Sequence, residues 1–120
     1  MKDNPIVTKS LAFALRIIKL SRYLADTYKE FTLSREILVA GTGIGKFVIL
    51  AESGESPESF TLNMAKALQR ADETEYWLIL IHFAEMLNDR EFESIESDRK
   101  ELAKMLTKIV KNSKQNSKQE

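Results

Sequence analysis

The chain has no cysteine, which excludes disulfides and thiolate-held metal ions. Histidine occurs once, as His82, so a di-iron bundle built on paired Glu-x-x-His motifs has no second ligand. The position three before His82 is Ile79, so even the first motif is missing. No apolar run approaches the roughly 20 residues of a membrane span. The opening MKDNPIVTKS carries an early acid and lacks the apolar centre of a secretory signal. These absences lead to an expectation of a cytoplasmic protein with no membrane segment, no metal and no cofactor.

Proline occurs twice and glycine four times, and all four glycines fall between positions 41 and 54. Elsewhere long segments of helix formers run unbroken, and the period-two alternation of strands is missing. The expected class is all-α. Net charge is also missing, with 18 basic and 18 acidic side chains. The charges are segregated: residues 56–98 carry ten acids against three bases, and residues 99–120 carry seven bases against two acids. A neutral total argues against strong nonspecific nucleic-acid binding by a monomer, while the basic C-terminal stretch leaves room for a local contact.

Apolar spacing predicts four helices, at about 5–29, 33–53, 57–87 and 89–111, in an antiparallel up-down bundle spanning 1–111. Asn4-Pro5 and Ser56-Pro57 read as N-cap followed by a first helical residue. Thr32 is the expected cap of the second helix, and Asn88 with Glu91 matches capping-box spacing for the fourth. The polar run KNSKQNSKQE predicts a disordered tail over 112–120. Helices one and three each carry two apolar faces. In the first, Ile6, Phe13, Ile17, Leu20, Leu24 and Phe31 share one face, and Val7, Leu11, Ala14, Leu15, Ile18 and Ala25 another. In the third, Phe60, Met64, Ala67, Ala71, Thr74 and Leu78 oppose Leu62, Ala65, Tyr76, Leu80, Phe83 and Leu87. A lone bundle needs one inward face per helix, so the surplus predicts self-association.

The stretch VAGTGIGKFV, residues 39–48, invites a phosphate-loop reading and fails it. With Gly45-Lys46 as the G-K pair, Ala40 stands where the first glycine belongs and Phe47 where the magnesium-binding hydroxyl belongs. The dinucleotide pattern fails at Lys46, which holds the third glycine's place. In a helix, Gly41 and Gly45 share a face as in close-packed G-x-x-x-G seams. Each interior glycine costs about 1 kcal/mol relative to alanine, so Ala40, Gly41, Gly43 and Gly45 predict a face where another helix approaches closely, with a bulky side chain over a glycine.

NPIVTKSLAFALRIIKL, LSREILVAGTGIG and DETEYWL, in this order and spacing, resemble the four-helix-bundle proteins first noticed as reading frames in intervening sequences of 23S ribosomal RNA genes. The resemblance covers about residues 4 to 110. The family pattern is close to L-S-x-Q-L-x-R-S-G-T-S-I-G-A-N followed by E-T-x-Y-W-L. Leu33, Ser34, Gly41, Thr42, Ile44, Gly45, Glu73, Thr74, Tyr76, Trp77 and Leu78 match it. Glu36, Val39, Gly43, Phe47 and Leu50 replace Gln, Arg, Ser, Asn and Glu. The resemblance implies a ring-like, pentameric homo-oligomer. A related branch, the accessory proteins of diversity-generating retroelements, is strongly basic and binds nucleic acid and a reverse transcriptase.

The expected function is therefore a non-enzymatic oligomeric scaffold or adaptor associated with RNA or DNA. The alternative is a nucleic-acid-binding accessory factor to a reverse transcriptase or ribosomal RNA element, and a third is a small-molecule-binding bundle. Glu73, Thr74, Tyr76 and Trp77 are the candidate signature or subunit-contact residues. The alternative role for this set is structural, with Glu73 paired to a nearby base and Trp77 anchoring a junction. Lys9, Arg16 and Lys19 on helix one, with Lys111, Lys114 and Lys118 near the C-terminus, are the candidate nucleic-acid contacts. His82 falls on an apolar face and reads as a packed or interfacial histidine.

Overall fold

Residues 4–119 are described by the computed structural model, with side chains described through residue 116. Four helices follow in order, α1 (Pro5–Tyr28), α2 (Phe31–Glu52), α3 (Pro57–Phe83) and α4 (Asp89–Gln119), with no strand among the described residues. Local chemistry sets their starts. Asn4 accepts from the Ile6 amide at 3.3 Å, with Pro5 at the first position. Ser56 accepts from the Ser59 amide at 3.1 Å, with Pro57 and Glu58 in the first turn. Asn88 accepts from the Glu91 amide at 2.8 Å. Each satisfies a donor that a helix start would leave orphaned.

Five boundaries differ from expectation, the smallest being α2's end at Glu52 in place of 53. Glu30, not Thr32, caps α2, its carboxylate accepting from the Leu33 amide at 2.9 Å. Lys29 takes a left-handed conformation, φ 55°, so α1 ends at Tyr28 and Phe31 opens α2 instead of extending a face of α1. α3 stops at Phe83 because the chain turns at Glu85, φ 62°, which swings Leu87 into the core. The expected disordered tail is a correction: α4 continues to Gln119. Residues 112–119 hold no glycine or proline, and extending an existing helix avoids the cost of nucleation. The Thr61 and Ser113 hydroxyls also hydrogen-bond, tying this extension to α3.

Consecutive helices pack on one another, and α4 returns to touch α1 along a thinner seam. One core runs through the molecule, built from Phe13, Ile17, Leu24, Ile37, Ile44, Met64, Leu78, Ile81, Leu102 and Leu106. At the α1–α2 seam the glycines decide the fit. A Cβ on Gly41 would lie 2.6 Å from the Ile17 side chain, and one on Gly43 3.1 Å from that of Arg70 on α3. At Gly45 the nearest neighbour, the Ser10 hydroxyl, would be at 3.4 Å, an ordinary contact. The same seam buries Ser21 and Ser34. The Ser21 hydroxyl donates to the Ser34 carbonyl or hydroxyl, and the Ser34 hydroxyl reaches the Ser21 carbonyl at 2.8 Å. Thus α1 and α2 touch through small and self-satisfied groups.

These distances separate two substitutions that look alike in sequence. Gly41→Ala should destabilise the fold by about 1–3 kcal/mol, because fully buried Ile17 has nowhere to move. Gly45→Ala should be neutral or stabilising by up to about 1 kcal/mol, through helix propensity. Urea denaturation followed by circular dichroism measures both, and equal losses in the two variants would contradict this account.

Candidate functional site

The signature residues do not converge on one pocket. Thr74 is buried, and its hydroxyl donates to the Arg70 carbonyl at 2.7 Å. Glu73 pairs with Arg70 at 3.1 Å. Trp77 is half-buried against the core, and Tyr76 stands exposed, edge-on to Trp77 with ring centroids 4.9 Å apart. The set is therefore split between packing and surface. Only Tyr76 and one edge of Trp77 and Glu73 remain for a partner.

Between Glu73 and Tyr76 lies Glu75, which sequence reasoning passed over, and it belongs to the most buried charge cluster. Arg99 of α4 is 4% exposed. Its guanidinium donates to Glu96 at 2.6 and 2.8 Å, to Glu75 across the α3–α4 seam at 2.9 Å, and toward the Ala71 carbonyl at 3.5 Å. The Glu96 hydrogen bond holds Arg99 even more firmly in its charged form than usual. Burial opposes this, and the charges of Glu96, Glu75 and Asp72 add to it. A charge so deep survives only when its donors are met. The available signal was Arg99 breaking the apolar stripe of α4 at a core position.

The expected basic face of α1 is largely consumed. Lys9 pairs with Glu101 at 2.7 Å, and Arg16 bonds Asp98 at 2.9 Å and Ser94 at 3.0 Å, all on α4. Lys19 stays exposed at the lip of an open cavity of ≈ 400 Å³ with an apolar floor of Leu20, Leu87 and Ile95. Lys111 and Lys114 are exposed on α4. With Lys100, Lys104 and Lys108, also exposed, they make a lysine-rich flank. The side chain of Lys118 lies outside the described residues.

His82 stacks on Phe92 of α4, centroids 4.2 Å apart, and its Nε2 lies 2.7 Å from Asp89. Among the described residues no group of three or more His, Cys, Asp or Glu is placed to hold a metal ion, and no helix is long and apolar enough to cross a membrane. The expected second apolar faces of α1 and α3 are uncovered only in part, since Val7 and Leu87 are buried in the core. Leu15 is 62% exposed with Leu11 beside it, and Phe83 is 77% exposed with Tyr76 and Leu62 on the same side of α3.

The sequence matches the family described as 23S rRNA-intervening sequence protein over residues 2–108. A crystal structure of a protein of unknown function from the S23 ribosomal protein family of Bacteroides thetaiotaomicron superposes with a TM-score of 0.87. It is 40% identical, and the match covers 88% of this chain and 98% of that one. No curated protein matches.

Two side-chain removals should differ sharply. Arg99→Ala strands Glu96 in a mostly buried position and should cost about 3 kcal/mol or more. Arg99→Met, which keeps the volume, should cost less. Lys9→Gln breaks an exposed pair and should cost at most about 1 kcal/mol. Thermal and urea melts provide the comparison.

Proposed function

Because the chain belongs to the 23S rRNA-intervening sequence protein family, we propose that it is a non-enzymatic cytoplasmic scaffold or adaptor that works as a ring-like homo-oligomer of antiparallel helical bundles. Short connections and the Asn4–Glu52 hydrogen bond of 2.8 Å, which joins the start of α1 to the end of α2, support the alternating helix direction. The non-enzymatic reading is supported by the sole histidine, which faces Asp89 and Phe92 and no hydroxyl nucleophile.

One observation carries the oligomer. Uncovered apolar strips lie on α1 and α3, helices that pack against α2 and not against each other, and α2 itself exposes Phe31, Val39 and Leu50. Strips on two helices that do not touch can be covered by a head-to-tail contact, the α1 strip of one copy against the α3 strip of the next. Such a contact propagates until it closes a ring. A two-fold dimer covers both strips only where the two share one face. Five subunits is the number the family resemblance implies.

A second reading, contact with RNA or DNA, is favoured by the exposed lysines of α4. In a ring this flank repeats once per subunit, so modest local charge gains avidity for a polyanion. Lys9 and Arg16, already paired with acids, contribute little to it.

Light scattering at micromolar concentration should report a multimer, and a monomer would end the first reading. Leu15→Glu and Phe83→Glu should each weaken assembly by about 2 kcal/mol or more per interface. Mixed together, each variant retains the strip the other has lost, so a head-to-tail geometry yields a one-to-one heterodimer. A two-fold interface yields no such rescue. For the second reading, filter binding to structured RNA should show steep loss with salt, and Lys104→Gln, Lys108→Gln and Lys111→Gln together should lower the slope by about 2–3. Absence of binding at low salt would remove it.

A further inference from the structure

Phe47 lies half-buried on α2 where α3 packs beside it, and three cations converge on its ring. The Lys46 Nζ is 5.3 Å from the ring centroid, the Lys66 Nζ 5.7 Å and the Arg70 Cζ 5.7 Å. Sequence spacing builds the cluster. Lys66 and Arg70 are one turn apart on α3, and Gly43 sits one turn before Phe47. Having no side chain, Gly43 leaves room for the Arg70 stem, whose Cδ would lie 3.1 Å from a Cβ placed there.

The charges around this ring are not balanced. Arg70 shares one carboxylate, Glu73 at 3.1 Å. Among the described residues Lys46 and Lys66 form no ion pair within 4.0 Å. No acid stands three or four positions from either lysine in the sequence. Attraction to an aromatic face, about 0.5–1 kcal/mol per cation at an exposed site, opposes the repulsion among the charges, which water screens. The ring thus gathers the cations without neutralising them. Two positive charges are left over among two ammonium groups and one planar guanidinium. A group with up to two negative charges and several acceptor oxygens matches that remainder better than a single carboxylate.

We propose that Lys46, Lys66 and Arg70, gathered by Phe47, bind a phosphate group, either free, as in inorganic phosphate or a nucleotide, or within the backbone of single-stranded RNA. All four residues come from one protomer, and the site does not depend on self-association. It is also separate from the lysine flank of α4.

Isothermal titration calorimetry with inorganic phosphate, at low and constant ionic strength, tests the site. Phosphate should bind with heat that acetate does not reproduce. Lys46→Gln and Lys66→Gln should each weaken binding about tenfold, the loss of one charge-assisted hydrogen bond. Their circular dichroism should stay unchanged, since both positions are exposed. Phe47→Leu, which keeps all three charges and removes the ring's attraction, should weaken binding less. Arg22→Gln, which removes an exposed cation on α1, should leave phosphate affinity intact. Displacement of a labelled single-stranded RNA by phosphate would assign the group to a backbone, and binding of phosphate or nucleotide without RNA would assign it to a free ligand. Phosphate heats no larger than those of acetate would overturn the proposal, as would unchanged affinity in the Lys46→Gln, Lys66→Gln double variant.

Discussion

The contact of α1 on the glycine-lined face of α2 is the constraint from which the rest of the fold follows. Ile17 occupies the space that any side chain at position 41 would need. Ser10, Ser21 and Ser34 let the same seam stay narrow, because each hydroxyl finds a carbonyl on its own or the adjoining helix. With the two axes held close, Phe13, Leu24, Ile37 and Ile44 meet in one core, and α3 can close over the other side of α2. Three glycines in a helix weaken it locally by about 2–3 kcal/mol, so this helix is stable only as part of the pair. Local structure and tertiary packing are here one event.

Much of this was legible from residue spacing, and the illegible parts share a physical cause. The buried face of α2, through Ile37, Gly41, Ile44, Val48 and Ala51, follows directly from a 3.6-residue period. So do the first faces of α1 and α3. Caps built on Asn4 and Ser56 could be read because donor and acceptor are two or three residues apart. Glu30 escaped notice because its longer carboxylate caps less commonly than a hydroxyl or amide does. The helical course of 112–119 was hidden because polar composition is silent about a helix already nucleated upstream and tied to α3 through Ser113. Arg99 looked like an interruption because its partners Glu75 and Glu96 lie on two helices, and only one of them is near it in sequence.

Charge shows the same limit more plainly. Counting along the chain makes α1 mildly basic and the middle of the molecule acidic, which places a free cationic face on α1. Folding pairs Lys9 with Glu101 and Arg16 with Asp98, so that face is spent internally. The surplus reappears elsewhere, along the second half of α4 and around Phe47. Net neutrality of the whole thus coexists with two local excesses, each invisible in a sum and each defined by which acids are within reach. The apolar strips differ in kind: their exposure depends only on helix period and on which neighbours each helix has, and both were foreseeable.

The thin α1–α4 seam has a consequence for how the molecule comes apart. Its contacts are exposed ion pairs over open cavities, whereas α1, α2 and α3 are joined through buried apolar and hydroxyl contacts. Fewer contacts hold α4 on its α1 side than on its α3 side, so α4 is expected to part first from α1, turning about the α3–α4 turn near Glu85. Amide protons along α4 then belong to a less protected cooperative unit than those of α2. The Arg99 cluster ties that unit to α3, so the most buried charge among the described residues is also a fastening of the last helix.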